Sequence, residues 1–370
     1  MAQNEINIKG NARGVKNVLI TRFSAIGDVA MTVPVIYSAC RCYPDVRFVL
    51  LTRPTMTGIF VNAPDNLVLV GADVKEKYAG MKGLRQLANE VCRDYDIDIM
   101  VDLHVVLRTY VIGLCCRLRG VKVYRLNKGR ARRRALTRKS NKVMLPLVSQ
   151  RARYREVFFK AGLPLTERFK GLFEGHATAP AAMFSAITAP RPRGERWVGI
   201  APFAAHGGKI YPTQQMEQVV EMLSRHDDIR LFLFGGGKQE CEVLDKWAAT
   251  YPRVTSLAGK RYGFTAELSL FNHLDAVLTM DSGNMHLASI AGTHTVSVWG
   301  ATHPYCGFKG WRQSDNDTVQ LPLTCRPCSV FGNKPCYRGD YLCLTGIRPE
   351  VIYNKVMEKL AMTQNHSSDE

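Results

Sequence analysis

No stretch of the 370 residues is apolar for long enough to cross a bilayer, which takes ~18–20 uninterrupted apolar residues, so a membrane-spanning segment is not expected. The first seventeen residues are polar and mixed in charge and lack the apolar core of a secretory leader. Acidic residues are scarce, 32 against 50 Lys and Arg, for a net charge of +18. A paired disulfide framework is also missing: the eleven cysteines are odd in number and scattered, which fits a reducing cytoplasm. The glycine triplet of a dinucleotide fingerprint does not occur, and GGGKQE (235–240) lacks the GK-[ST] ending of a phosphate-binding Walker loop. What remains is a chain with 46% hydrophobic residues, which excludes global disorder, and a length that favours two domains.

The positive charge is concentrated. Residues 1–185 carry a net +17 and residues 186–370 only +1. The densest part, residues 117–142, holds twelve Arg and Lys and no acid. Such a run is either a solvated face or a surface for a polyanion, and nucleic acid, an anionic membrane and a phosphorylated substrate are the candidates. Nucleic-acid binding would call for interleaved aromatic rings, and this run has only Tyr124.

Short β-branched runs alternate with longer helical stretches. VKNVLITRF (15–23), VRFVLLT (46–52) and IDIMVDLH (97–104) read as strands, with a helix over 29–44 after the first. AITAPRPRGER (186–196) breaks the pattern and reads as a linker. The rhythm restarts with strands at 196–203, 229–237, 275–283 and 293–302 and a helix at 212–226. Strands joined by crossover helices predict an α/β fold of two doubly wound parallel sheets, with ligands at the carboxyl ends of the strands. The expected division is 1–185, 190–345 including a cysteine-rich segment at 325–343, and 346–370 as a helix and frayed tail.

Three loops at strand ends carry candidate chemistry. In SAIGDVAMTVP (24–34), Gly27 permits a tight turn and Asp28 either caps the following helix or presents a carboxylate able to take a proton from a bound hydroxyl. In MDSGNMHLASIAG (280–292), Asp281, Ser282 and Gly283 form a turn into a helix whose free N–H groups and dipole suit a diphosphate. His286 either donates to the same phosphate or is a packed core histidine. In APFAAHGGKIYP (201–212), Lys209 either neutralises a phosphate or is an ordinary solvated lysine.

SAIGDVAMTVPV and DSGNMHLASIAGT, in this order and at this separation, together with VDLHVVLRT (101–109) and APFAAHGGKIYP, resemble glycosyltransferase family 9, the lipopolysaccharide heptosyltransferases. The resemblance runs over roughly residues 16–360. It implies the GT-B architecture of two Rossmann-like domains facing across a cleft, an inverting reaction needing no metal or other cofactor, and an ADP-heptose donor. It also implies a lipid A–Kdo acceptor and action at the cytoplasmic face of the inner membrane, in peripheral contact with the inner leaflet. Carried onto this chain, Asp28 corresponds to the general base, Lys209 to the phosphate-binding lysine, and Asp281, Ser282, Gly283 and His286 to the donor-binding turn. The ribose-contacting glutamate of the family falls at Gly237 or, with a shift, at Glu240. The basic run borders the family's acceptor side, and Arg108, Arg132, Arg133 and Arg134 are the expected acceptor contacts.

CRPCSVFGNKPCYRGDYLC places Cys325, Cys328, Cys336 and Cys343 within nineteen residues, either as ligands of a structural zinc or as a loop of free thiols. Two other readings remain at this point. One keeps fold and mechanism but uses another nucleotide sugar, a hexose or N-acetylhexosamine, on a surface glycolipid. The other is a basic nucleic-acid-binding protein with a zinc-bound cysteine cluster.

Overall fold

The computed structural model describes residues 14–174 and 178–367. The chain divides into two compact units, Met1–Lys128 with Gln150–Lys170, and Gly129–Ser149 with Gly171–Glu370. Each is built on one parallel sheet.

The first sheet contains β1 (Asn17–Thr21), β2 (Arg47–Thr52), β3 (Leu67–Gly71), β4 (Ile99–Asp102) and β5 (Lys122–Arg125), in the order β3-β2-β1-β4-β5. The central strands are apolar throughout because helices cover both faces of the sheet. Leu19, Val49 and Met100 pack against Leu84, Leu87 and Ile112 of the helices Gly80–Tyr95 and Leu107–Arg117. The strand order reverses between β1 and β4, whose register sets Thr21 beside Asp102. At such a switch point the loops leave in opposite directions and open a crevice. Asp28 lies just beyond β1 and His104 just beyond β4.

The second sheet contains β6 (Arg196–Ala201), β7 (Ile229–Leu233), β8 (Val254–Ser256), β9 (Ala276–Met280), β10 (Thr295–Val298) and β11 (Thr318–Val319), in the order β11-β10-β9-β6-β7-β8. Its core joins Val198, Ile200, Leu231 and Leu278 to Val219 and Leu244 on the helices, and to Ile352, Val356 and Leu360 of the helix Pro349–Ser367. The switch point falls between β6 and β9, with Ala201 beside Thr279. Lys209 follows the first of these strands and Asp281 the second.

Several sequence expectations change. The helix expected over 29–44 is two helices, Ile26–Ala30 and Val33–Cys42, because Pro34, lacking an N–H, suits the first turn of a new helix and not the interior of a long one. The chain passes between units near 128/129, 149/150 and 170/171, not within 186–196. That proline-containing segment is fastened to the second unit: Arg191 pairs with Asp275 at 2.8 Å and lies 5.2 Å from the Trp197 ring centroid. The basic run is therefore divided, with residues 129–149 grouped with the second sheet. Residues from 346 onward form no separate part, since the helix Pro349–Ser367 completes the second core. That helix runs through most of the expected frayed tail, and residues 368–370 lie outside the described residues. Among the described residues no helix is long and apolar enough to cross a membrane.

Candidate active site

At the carboxyl edge of the first sheet, Asp28 sits in the first turn of the helix Ile26–Ala30 and makes no side-chain cap. Its carboxylate is ion-paired with Arg22, which β1 delivers to the same edge; the Asp28 side chain keeps 30% exposure while Arg22 is buried. Arg22 also donates to the Leu103 carbonyl at 2.7 Å, so its position is fixed from β4. The Tyr154 hydroxyl donates to the Asp28 backbone carbonyl at 3.3 Å. A held carboxylate with an open side is an arrangement able to take a proton from a hydroxyl brought against it.

Beside it, Asp102 is fully buried and organises the β4 loop. Its Oδ1 accepts from the Thr21 hydroxyl at 3.1 Å and from the His104 and Val105 amides at 3.0 and 2.9 Å. The His104 imidazole is pushed down to about 3, first by burial and then by Arg22, Lys128, Arg53 and Arg108. It is therefore neutral at working pH and sits among cations carried by the ends of β1, β2, β4 and β5. That rim suits an anionic ligand. Arg22, Arg53, Lys128 and His104 had no individual signal in the sequence, because only the parallel register brings the ends of four strands together.

At the carboxyl edge of the second sheet, Lys209 Nζ lies 2.8 Å from Asp281 Oδ2, a pair with side-chain exposures of 15% and 3%. The lysine is not the solvated one that its bland reading allowed. Its loop is tightly packed: a Cβ on Gly208 would meet the Gly332 carbonyl at 2.7 Å, and one on Gly332, at φ +73°, would meet Lys209 Cγ at 2.6 Å. Ser282 stands at the N-cap of the helix Gly283–Ala291 with no side-chain cap bond; its hydroxyl pairs with Thr279 at 3.1 Å. No side-chain cap from Ser282 covers the start of that helix, and a helix start of this kind suits an anion. His286 is buried in the first turn of the same helix.

Glu240 folds back to accept from the Gly236 and Gly237 amides at 2.8 and 3.3 Å, capping the helix Lys238–Thr250. Glu267, in the first turn of the helix Phe264–His273, is a half-buried carboxyl raised to about 7 by desolvation. His303, beyond β10, accepts from the Tyr305 amide at 3.0 Å and is lowered to about 4, mainly by burial and then by Arg326. Arg326 is buried and binds the carbonyls of Gly300, Thr302 and Leu321 and the Gln320 side chain, fixing the loop after β10.

The four cysteines of 325–343 lie close enough to act on one another electrostatically, but not as a ligand set. Cys343 is buried in the second core and its thiol is raised to about 11, chiefly by desolvation. Cys328 Sγ donates to the Cys325 carbonyl at 3.1 Å. Among the described residues no group of three or more His, Cys, Asp or Glu is placed to hold a metal ion. The expected acceptor arginines are likewise divided. Arg108 belongs to the first unit, and Arg132, Arg133 and Arg134 lie on the helix Arg130–Leu136 in the second. There Arg133 stacks on Phe308 and Phe331, 5.4 and 5.6 Å from the ring centroids, and Lys142 donates to the Cys325 and Pro327 carbonyls.

The sequence profile of glycosyltransferase family 9, the heptosyltransferases, matches residues 116–335, more than half of the chain. The chain belongs to glycosyltransferase family 9. As a family 9 enzyme it is 21% identical over 343 residues to lipooligosaccharide heptosyltransferase 2 of Campylobacter jejuni, covering 90% of this chain and 95% of that one. Its fold matches a family 9 glycosyltransferase from Veillonella parvula at a TM-score of 0.70 and 17% identity, over 94% and 98% of the two chains. It also matches the Escherichia coli heptosyltransferase WaaC solved with ADP, at 0.61 and 16%, over 93% and 99%. The two Rossmann-like domains are those of a GT-B glycosyltransferase.

Proposed function

We propose that this glycosyltransferase transfers a heptose from ADP-heptose to the lipid A–Kdo inner core of lipopolysaccharide, with inversion at the anomeric carbon and without a metal. The observation that carries the reading is the convergence of Lys209, Asp281, Ser282 and the open helix start at Gly283 on one switch point of the second sheet. The ADP held by the Escherichia coli relative supports an adenine nucleotide as the donor's carrier.

In this mechanism the Asp28 carboxylate takes the acceptor hydroxyl proton as its oxygen bonds to the anomeric carbon. The bond from that carbon to the diphosphate breaks on the opposite face, and its electron pair leaves with ADP. A base so placed typically contributes ~10²–10⁴ in rate. Arg22 orients the carboxylate from its buried side, leaving its exposed side for the hydroxyl. Lys209 and the amides at the start of the helix Gly283–Ala291 meet the charge that develops on the diphosphate, with His286 behind them in the same turn. Arg53, Arg108 and Lys128 receive the acceptor's phosphates and carboxylates, and the exposed Arg132 and Arg134 offer further cations from the second unit. The enzyme then works in peripheral contact with the cytoplasmic face of the inner membrane.

The test is thermal unfolding with nucleotides. ADP at about 100 times its Kd should stabilise by ~2.7 kcal/mol, or roughly 5–10 °C for a domain of this size, with no shift from UDP or GDP. Stabilisation by UDP and not ADP would move the donor to another sugar nucleotide.

A further inference from the structure

The helix Leu107–Arg117, with Leu118 at its C-cap, turns Ile112 and Cys116 into the first core. Its opposite side is apolar as well. Leu107, Tyr110, Leu114 and Leu118 recur at spacings of three and four, so they share one face, and they are 78%, 48%, 58% and 81% exposed. A contiguous stripe of large apolar side chains in water marks a contact surface.

Its surroundings say which contact. Arg117 and Arg119 are exposed beside Leu114 and Leu118, and the Arg125 guanidinium lies 4.6 Å from the Tyr110 ring centroid. Within the first unit, residues 103–128 and 150–155 hold nine Arg and Lys and no acidic residue. A second copy docked on this stripe about a two-fold axis would bring like charges together. An anionic lipid surface complements both features: leucines enter the acyl boundary, the tyrosine sits at headgroup level, and the arginines extend their charged ends to lipid phosphates.

We propose that the Leu107–Leu118 face is a membrane-docking surface that lies in the plane of an anionic leaflet. This deepens, and rests on, the reading of a lipid-borne acceptor, because it brings the first sheet to the surface in which such an acceptor is anchored.

Co-sedimentation of the full chain with vesicles tests it. Binding should be strong on phosphatidylethanolamine–phosphatidylglycerol vesicles and at least fivefold weaker on phosphatidylcholine. Leu114→Ser with Leu118→Ser should lower the partition coefficient tenfold or more, while the thermal midpoint and transfer to a soluble, delipidated acceptor stay unchanged. Leu107→Ser, at a separate point of the stripe, should weaken binding in the same direction, and Arg117→Gln should do so about fivefold on anionic vesicles only. Equal binding to both vesicle types, or leucine variants that bind like the parent, would overturn the proposal. A dimer at micromolar concentration that Leu114→Ser dissociates would overturn it in favour of a self-interface. Vesicle binding that stands while no sugar reaches the soluble acceptor supports the docking surface and counts against the donor and acceptor assignment alone.

Discussion

Replacing Lys209 by Met keeps the aliphatic stem and removes the charge facing Asp281. In the folded protein that carboxylate is almost entirely enclosed, 2.8 Å from the ammonium. Removing one partner of a buried pair costs about 3–5 kcal/mol, because the remaining charge stays desolvated without compensation. Lys209 retains 15% exposure, which places this site at the lower end, about 3 kcal/mol. For a domain of this size that is a fall in Tm of roughly 6–12 °C. Two assays separate the structural role from the binding role. In thermal unfolding, Lys209→Met with Asp281→Asn should recover more than half of the loss, because the orphaned charge is gone. In ADP titrations both the single and the double variant should bind at least tenfold more weakly, since neither restores a cation at the phosphate. A single variant as stable as the parent, or a coupling energy below about 0.5 kcal/mol, would refute the claim that the pair holds this loop.

Four further outcomes are expected. Asp28→Asn should retain ADP affinity and lose at least a hundredfold in kcat, measured by release of ADP with saturating acceptor; turnover within threefold of the parent would remove Asp28 as the base. Glu267 is raised to about 7 in the fold, so it binds a proton that the unfolded chain gives up near 4.5, and its contribution is lost as pH rises through 7. Glu267→Gln should therefore raise Tm at pH 8, by an effect of about 2–3 kcal/mol, and leave it nearly unchanged at pH 4.5. His104 is depressed to about 3, so its contribution is present above the unfolded value near 6.5 and lost as pH falls towards 3; between pH 7 and 4.5 this should cost about 1–2 kcal/mol after screening, and His104→Gln should flatten that slope in urea titrations. Metal analysis of the pure protein should find well below one zinc per chain, and a full equivalent would show that Cys325, Cys328, Cys336 and Cys343 gather in solution.

The central strands of both sheets were legible because buried parallel strands are continuous apolar runs between turns, as in NVLIT and AVLTM. Asp281, Ser282 and Lys209 were legible for a related reason: each follows such a strand, and strand ends are where an α/β sheet collects ligands. The edge strands were not. β5 reads KVYR and β8 reads VTS, too short and too polar to stand out. Apart from Arg108, the arginine and lysine rim around His104 was hidden, because Arg22, Arg53 and Lys128 follow three separate strands. The division of the basic run was hidden for another reason: Arg133 and Lys142 are fastened by two phenylalanine rings and by backbone carbonyls of a segment nearly two hundred residues away, and no charge pattern reveals such partners. The cysteine spacing suggested a ligand set; a short helix buries Cys343 in the core within electrostatic range of Cys325, Cys328 and Cys336, and spacing alone does not say whether four neighbouring thiols aim at one point.

Incubating the enzyme with ADP-heptose and a lipid A–Kdo acceptor, in the presence of a chelator, puts the whole reading to one test. Mass spectrometry and anomeric analysis of the product should show one heptose added per acceptor with inverted configuration, and one ADP released for each. An acceptor left unmodified under ADP-heptose but extended by a UDP- or GDP-linked sugar would contradict the account.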